Sequence, residues 1–302
     1  YDAKAALKHS LTGYGPDRPA TTNYKIDASG NKWMLIQAWP GMHLVDDSGS
    51  IVIKYSYQGT ALSYTIPSFG AIDYCNYILN GVTNYPPELK AAVASVLDTN
   101  NKYDIMKGTE VSAKMTETLA SDAFKNAFKL VEAPADATNK DVYAQMAEDG
   151  YIKEIALIVQ TSANNGITVG IKKNGNYGFK MTTKVATKFG AALVGEHRLD
   201  GTEYFFMHNV RAYSFNEVFK IEVYESYTAN VDGNGKTTNV KSFNGEVLAT
   251  YEWTLAGYIN DNAETLTADQ LAYAKAIYSY AEVSTEYLQW KKDNGLGYNV
   301  FE

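Results

Sequence analysis

Cysteine and histidine are both scarce in this sequence. Cys75 is the only cysteine, so the chain cannot form an intrachain disulfide or supply the thiolate cluster of a zinc or iron–sulfur site. The histidines, His9, His43, His197 and His208, are far apart, and none has a metal-ligand spacing such as His-Glu-x-x-His. We therefore expect neither a bound metal nor a cofactor.

Positive charge and long apolar runs are also in short supply. The chain has 27 Lys and Arg against 34 Asp and Glu, which gives a formal net charge of -7. Binding to a phosphate backbone depends on clustered Lys and Arg that release counterions, so we expect no nucleic acid partner. No stretch approaches the roughly 20 apolar residues that cross a bilayer, so we expect no membrane insertion.

Motifs with catalytic chemistry are missing as well. There is no Gly-x-Ser-x-Gly elbow and no phosphate-binding glycine loop. Glu222 and Glu225 resemble the two acids of a glycosidase only in being near each other in sequence. Asn230–Gly235 begins like a calcium loop, but Lys241 stands where its twelfth residue should be Glu, which favours a hairpin turn. We predict that the chain is not an enzyme.

Aromatic residues, in contrast, are abundant: 24 Tyr, 11 Phe and 4 Trp. Tyr and Trp combine an apolar ring with a polar group, which suits half-buried positions on a sheet and equally suits recognition surfaces. The sequence alone leaves both roles open for any one of these tyrosines.

The first hundred residues predict a small sheet followed by two helices. β-branched and aromatic residues indicate strands at Ile51–Tyr57 and Thr60–Ile66. From Ser68 onward, apolar residues recur at every third position, which predicts a helix that Gly81 closes. Pro87 then opens a second helix, since a proline in the first turn costs no hydrogen bond.

The remainder repeats this order at greater length. Glu110–Thr118 predicts a strand, and Ser121–Val131 and Lys140–Glu148 predict helices. Thr267-Ala-Asp-Gln270 is a capping box that opens a long helix ending near Lys292. The intervening strands are predicted at 152–161, 166–172, 177–183, 191–198, 203–208, 218–227 and 246–253.

An internal repeat connects the two parts. Trp33–Leu44, followed by Ile51–Tyr57, can be aligned with Tyr204–Phe215, followed by Phe219–Tyr227, and each half then continues as strand, helix, helix. We therefore predict an α+β fold of mainly antiparallel β-sandwich-like units in tandem, each followed by a helix pair.

The repeat also predicts the domain boundaries. The first unit covers residues 1–105, and the second, larger unit covers residues 106–302. We expect the first unit to be truncated, because the opening Tyr1-Asp-Ala-Lys4 resembles Lys102–Lys107, which follows the first helix pair.

The order of elements resembles a known module. An aromatic-rich strand, a strand ending in Tyr-x-Tyr or Tyr-x-x-Tyr, a short helix like Tyr74–Leu79 and a helix like Leu89–Leu97 are similar to a repeated module in secreted and cell-surface proteins of gut Firmicutes. Some of these resemble the starch-adherence (amylosome) proteins of ruminococci. The likeness covers Trp33–Tyr103 and Gly166–Gln289. It implies an extracellular, bacterial module for adhesion, glycan binding or spacing.

Five aromatic residues are candidates for contact with a glycan. Trp39 is followed by Pro40-Gly41 at a strand end and is the best candidate for an exposed platform. Trp33 lies six residues earlier, so the two would share a face of one strand. Trp253, Tyr213 and Tyr177 are candidates in the second unit.

Other roles stay open for several of these rings. Trp33 and Trp253 have the alternative of packing between sheet and helix, and Trp290, near a helix end, is equally ambiguous. Gln37, Asn209 and Asp200 are the polar residues expected to bind sugar hydroxyls.

The resulting hypothesis is a non-catalytic extracellular carbohydrate-binding module at the cell surface, with starch or another polysaccharide or oligosaccharide as its partner. The alternative is a structural spacer or a self-assembling cell-surface or fibre subunit without sugar binding. Its partners would be other cell-surface proteins or copies of itself.

Overall fold

The strands are mostly concentrated in the second half of the chain. The computed structural model describes residues 8–9, 18–19, 24–26, 32–34, 51–57, 59–66, 71–81, 85–153, 157–162, 166–184, 193–196, 202–211, 214–235 and 237–295. The strands are β1 Lys8–His9, β2 Arg18–Pro19, β3 Tyr24–Ile26, β4 Lys32–Met34, β5 Ile51–Tyr57, β6 Thr60–Ile66, β7 Leu157–Ser162, β8 Gly166–Lys172, β9 Gly178–Thr182, β10 Leu193–Glu196, β11 Glu203–Arg211, β12 Phe219–Val231 and β13 Thr237–Trp253.

The described residues form seven helices. They are α1 Ala71–Asn80, α2 Pro87–Lys107, α3 Ala113–Ala120, α4 Asp122–Ala127, α5 Lys140–Glu148, α6 Leu255–Asp261 and α7 Ala268–Asp293. The fold is therefore α+β, as predicted. All strand pairs are antiparallel: β1–β2, β3–β4 and β5–β6 form separate pairs, and one seven-stranded sheet has the order β7-β8-β11-β10-β13-β12-β9.

The hairpin of β12 and β13 is the longest feature of this sheet. Phe219, Ile221 and Val223 alternate along β12 and are each 0% exposed, the period of two that a half-buried strand requires. The turn before β13 contains Gly235 at φ 82°, a left-handed conformation that glycine adopts without strain. The hairpin turn interpreted at residues 230–235 is thereby confirmed for residues 232–235, whereas Asn230 and Val231 still belong to β12.

The sheet curves so that strands that are not neighbours contact each other. The rings of Phe179 in β9 and Phe205 in β11 are 5.5 Å apart, edge to face. The neighbouring Gly178 makes room for two other side chains, since a Cβ at this position would lie 2.9 Å from the ring of Phe243 and 3.2 Å from Cβ of Tyr227. Glycine here leaves room for the cross-strand aromatic rings.

Helix α7 packs against the sheet with one side and against α2 with another. Its residues Ala274, Ile277 and Ala281 belong to the apolar core of the sheet. Toward α2, the hydroxyl of Thr99 donates a hydrogen bond to the carbonyl of Ala276 at 3.1 Å. The predicted capping box at Thr267 is confirmed, because the Thr267 and Gln270 side chains each bind the other's main chain.

Helices α1, α2, α3 and α4 enclose a second, smaller core. Ile72, Ala94, Leu97 and Met115 are its most buried members. The predicted strand at Glu110–Thr118 is wrong, because most of it is α3. Ser112 caps this helix by accepting a hydrogen bond from the amide of Met115 at 3.1 Å.

The pKa values of two acidic side chains, Glu222 and Asp98, are shifted in opposite directions by their surroundings. Glu222 accepts a hydrogen bond from Lys220 at 2.6 Å and forms an ion pair with Lys180 at 3.3 Å. The lysines, Lys220 first, hold the pKa of Glu222 below its ordinary value. For Asp98 burial is the larger effect, and it raises the pKa even though Lys102 is 3.6 Å away.

These shifts predict opposite responses to amide substitution. A lowered pKa stabilises the fold above the pKa of the unfolded chain, so Glu222→Gln should lower the free energy of unfolding at neutral pH by about 0.5–1 kcal/mol. The loss should fade as the pH falls through the lowered pKa of Glu222 in the folded state, because below it the carboxyl is protonated in both states. A raised pKa means that the ionised carboxylate destabilises the fold. Asp98→Asn should therefore raise the free energy of unfolding at neutral pH, and this gain should fade in acid. Urea unfolding at the two pH values measures both, and effects of equal sign would contradict the prediction.

Candidate functional site

The structure separates the predicted aromatic candidates into three groups. Trp39 and Tyr213 lie outside the described residues. Trp33 lies in β4 opposite Lys25 of β3, and only its main chain is described. For Trp253 and Tyr177 the side chains are described, and their surroundings differ from those of a sugar platform.

Trp253 is part of the core. Its side chain is 0% exposed, and its ring lies edge to face on Phe219 at 5.1 Å. The indole N–H donates a hydrogen bond to the hydroxyl of Tyr143 at 2.5 Å. Burial raises the pKa of that hydroxyl, so it stays protonated. Trp253 therefore offers no ring face to a ligand, and the packing alternative applies to it.

Tyr177 is half-buried and packs on Tyr151. Its ring is edge to face with Tyr151 at 5.1 Å. Nearby, Tyr251 donates a hydrogen bond to the carboxylate of Asp149, and burial followed by this contact raises the pKa of Tyr251. Tyr177 covers the end of the sheet core and exposes only part of its ring. The polar residues Gln37 and Asp200, and the side chain of Asn209, lie outside the described part of the chain.

Helix α1 presents two tyrosines that the sequence reasoning did not select. Tyr74 and Tyr77 are each 54% exposed, more than any other aromatic side chain that the structure describes. They lie one turn apart on the face opposite Ile72, Cys75 and Ile78, which are buried. The same period of three that fixes the buried stripe therefore directs the two tyrosines outward.

The C-terminal part of α7 carries a second pair of rings. Tyr287 and Trp290 are 6.1 Å apart between ring centroids, with an angle of 11° between their planes, and both are half-buried. The pKa of Tyr287 is raised, first by burial and then by the hydroxyl of Tyr74. Leu79 of α1 and Glu286 of α7 line one cavity, so this part of α7 lies near the end of α1.

Tyr85, which follows the C-terminal end of α1, completes this set. Its ring meets that of Tyr77 edge to face at 6.1 Å, just before the two prolines that lead into α2. We call the group of Tyr74, Tyr77, Tyr85, Tyr287 and Trp290 the aromatic surface.

No family model matches this chain, and no curated protein or solved structure matches it.

A cavity of about 540 Å³ lies between the ends of α1 and α4 and the start of α2. Its wall includes Lys129 and Glu286, which form an ion pair at 2.5 Å. Glu88 and Lys90, at the start of α2, line the same cavity. Glu286 directly precedes Tyr287 of the aromatic surface, so an ion pair and the cavity lie close to the aromatic rings of α7.

Neither metal chemistry nor a membrane span is suggested by the part of the chain that the structure describes. There, no three His, Cys, Asp or Glu side chains are grouped as metal ligands. None of its helices is both long and apolar enough to cross a membrane. The Cys75 thiol is buried, and burial raises its pKa to about 12, so it is a poor nucleophile at neutral pH.

Proposed function

We propose that this protein is a non-catalytic carbohydrate-binding protein that holds a polysaccharide, starch or a similar glycan, against its aromatic surface. The observation that carries the proposal is the exposure of Tyr74 and Tyr77, 54% each, beside the ring pair of Tyr287 and Trp290. Sequence reasoning assigned this role to other aromatic residues, whereas Tyr74 and Tyr77, the most exposed rings among the described residues, lie on helix α1.

The physical basis is the match between sugar rings and aromatic rings. One face of a pyranose is lined by C–H groups, which pack against the flat face of Tyr or Trp. Large aromatic side chains exposed to water cost hydration free energy that a ligand recovers on binding. A tyrosine hydroxyl both donates and accepts hydrogen bonds, so it can bond to a sugar hydroxyl.

We also propose that the chain is built from two related units in tandem, each with a sandwich-like sheet. Two observations support this: β5 and β6 are followed by the pair α1 and α2, and β12 and β13 are followed by the pair α6 and α7. The corresponding long helices, α2 and α7, pack together through Tyr103 and Tyr273, whose rings are 5.4 Å apart. The extracellular, cell-surface location rests on the resemblance to the secreted proteins of gut Firmicutes.

Affinity electrophoresis against soluble starch, pullulan and xylan tests the function. We expect retardation by at least one polysaccharide, and a loss of about tenfold in affinity when Tyr77 is replaced by Ala. Val231→Ala is the matched control, because Val231 is 60% exposed at the end of β12 and lies outside the aromatic surface. A Trp39→Ala variant run beside them tests the strand candidate.

The outcomes separate the alternatives. If no polysaccharide retards the unsubstituted protein, the glycan-binding proposal fails, and the structural spacer or self-assembling subunit takes its place. If Trp39→Ala abolishes retardation and Tyr77→Ala has no effect, sugar binding stands but the aromatic surface is the wrong site.

A further inference from the structure

We propose that Asn234 is a site of spontaneous covalent modification: in the folded protein its side chain deamidates, giving aspartate and isoaspartate at the turn between β12 and β13. The reagents are water and hydroxide, so the reaction needs neither an enzyme nor a bound ligand. Sugar binding by the aromatic surface plays no part in it.

Asparagine followed by glycine is the pair most prone to this reaction. Glycine has no Cβ, so its main-chain nitrogen is unhindered when the asparagine side chain turns toward it. The chain contains six such pairs. The structure describes five of these asparagines, whereas the sixth, Asn165, lies outside the described residues; the five are Asn80, Asn174, Asn234, Asn244 and Asn294.

Hydrogen bonds hold four of these five side chains. Asn80, Asn174 and Asn294 each donate to a main-chain carbonyl, at 3.1 Å, 2.9 Å and 2.8 Å respectively. Asn244 accepts from one hydroxyl at 2.9 Å and donates to another at 3.2 Å. Each of these side chains must break at least one hydrogen bond before its Cγ can reach the nitrogen of the next residue.

Asn234 differs from the other four in its side chain. It is exposed, and among the described residues no group forms a hydrogen bond with its side-chain amide. The following Gly235 is exposed as well, at φ 82°. Apart from its chain neighbours, no atom lies within 4 Å of the position that a Cβ of Gly235 would take. The side chain of Asn234 therefore has both the freedom and the space to turn toward the nitrogen of Gly235.

The reaction joins these two residues in a ring. Hydroxide removes the N–H proton of Gly235, and the nitrogen attacks Cγ of Asn234. The bond between Cγ and Nδ2 breaks, Nδ2 takes up a proton from water and leaves as ammonia, and a succinimide ring remains. Water then opens the ring at either of its carbonyls. One opening gives aspartate, and the other gives isoaspartate, whose main chain runs through the former side-chain carbon.

Asn294 offers a comparison within the same molecule. Like Asn234, it is exposed and precedes a glycine of positive φ. At both sites the N–H of that glycine donates to a main-chain carbonyl at 3.1 Å. The side chains differ, because Nδ2 of Asn294 donates to the carbonyl of Trp290. Since a net hydrogen bond must be broken at Asn294 alone, Asn234 should react at least about fivefold faster.

Either product changes the hairpin turn. A carboxylate replaces a neutral amide two residues from the carboxylate of Asp232, and like charges repel. Isoaspartate also lengthens the main chain between Val231 and Thr237, the last residues that pair across the hairpin. The modified protein should therefore carry an additional negative charge and have a less stable hairpin end.

Peptide mapping by mass spectrometry tests the proposal. The full chain is kept at mildly alkaline pH, folded in one sample and unfolded by urea in another, and conversion at each Asn-Gly pair is followed over time. In the folded sample we expect Asn234 to convert at least about fivefold faster than each of the four held asparagines. In urea the five rates should agree within about threefold, because the hydrogen bonds of the folded state are lost.

Two variants show which residue produces the acidic form of the protein. Asn234→Gln should remove the acidic species that this site contributes in isoelectric focusing, since glutamine would have to close a larger ring. Asn294→Gln is the matched control and should leave conversion at Asn234 unchanged, and thermal unfolding verifies that both variants fold. A held asparagine that converts as fast as Asn234 in the folded sample would overturn the proposal. So would an Asn234 that urea accelerates as strongly as it accelerates the held four.

Discussion

Replacing Trp253 by Ala should lower the free energy of unfolding by about 4 kcal/mol, within the range for deleting a buried aromatic ring. Trp253 is the largest fully buried side chain that the structure describes, and it packs against Phe219 at 5.1 Å and Tyr258 at 6.0 Å. Removal of the indole leaves a cavity between the sheet and α6, and it also leaves the hydroxyl of Tyr143 without its donor.

The two contributions can be separated in a double-mutant cycle. Trp253→Phe keeps most of the ring but removes the N–H, whereas Tyr143→Phe removes the acceptor and leaves the N–H buried and unpaired. Each single variant should cost about 1–3 kcal/mol, and the double variant should cost less than their sum. Urea unfolding followed by circular dichroism gives the values. A loss below about 1 kcal/mol for Trp253→Ala would contradict the burial described here.

Replacing Asn139 by Leu should be nearly as damaging, at about 3 kcal/mol. Asn139 is 2% exposed, and its side chain binds both main-chain groups of Thr254: Nδ2 donates to the carbonyl at 2.8 Å, and Oδ1 accepts from the amide at 3.1 Å. Leu has a similar size but no polar atoms, so the amide of Thr254 would lose its partner, and the carbonyl would keep only the hydrogen bond that it accepts from the amide of Tyr258 at 3.0 Å.

Gly257 provides an independent check of this contact. A Cβ at Gly257 would lie 2.6 Å from Cγ of Asn139, so Gly257→Ala should also destabilise the protein. Asn139→Ala creates space there, and the double variant should therefore be more stable than the sum of the two single effects predicts. Gly233→Ala is the control, since no atom lies within 4 Å of its added Cβ. Thermal unfolding of the four variants decides the matter, and strictly additive losses would argue against direct contact.

The elements that the sequence predicted correctly are those with local causes. The strands Ile51–Tyr57 and Thr60–Ile66 are where the β-branched and aromatic residues placed them, and α7 starts at its capping box. Glu110–Thr118 failed because its alternating polar and apolar residues suggested a strand, while the short-range signal of Ser112 as a helix cap was overlooked.

The candidate site was harder to predict because exposure depends on tertiary packing. The sequence left the roles of both Trp253 and Trp290 open, yet one is enclosed by β12 and α6 and the other lies half-buried near the end of α7. Tyr74 and Tyr77 were within reach of sequence reasoning, since they alternate with the buried stripe of α1. Their meeting with α7, more than 200 residues later, depends on tertiary structure that local sequence patterns do not specify.

The packing of α7 on α2 has a consequence for how the chain is made. Thr99 and Ala276 are 177 residues apart, so during synthesis α2 leaves the ribosome long before its partner exists. Contacts of such separation form late and slow the folding of a domain. Until α7 emerges, the side of α2 that it covers has no intramolecular partner, which gives a chaperone a defined surface and a defined interval in which to hold the nascent chain.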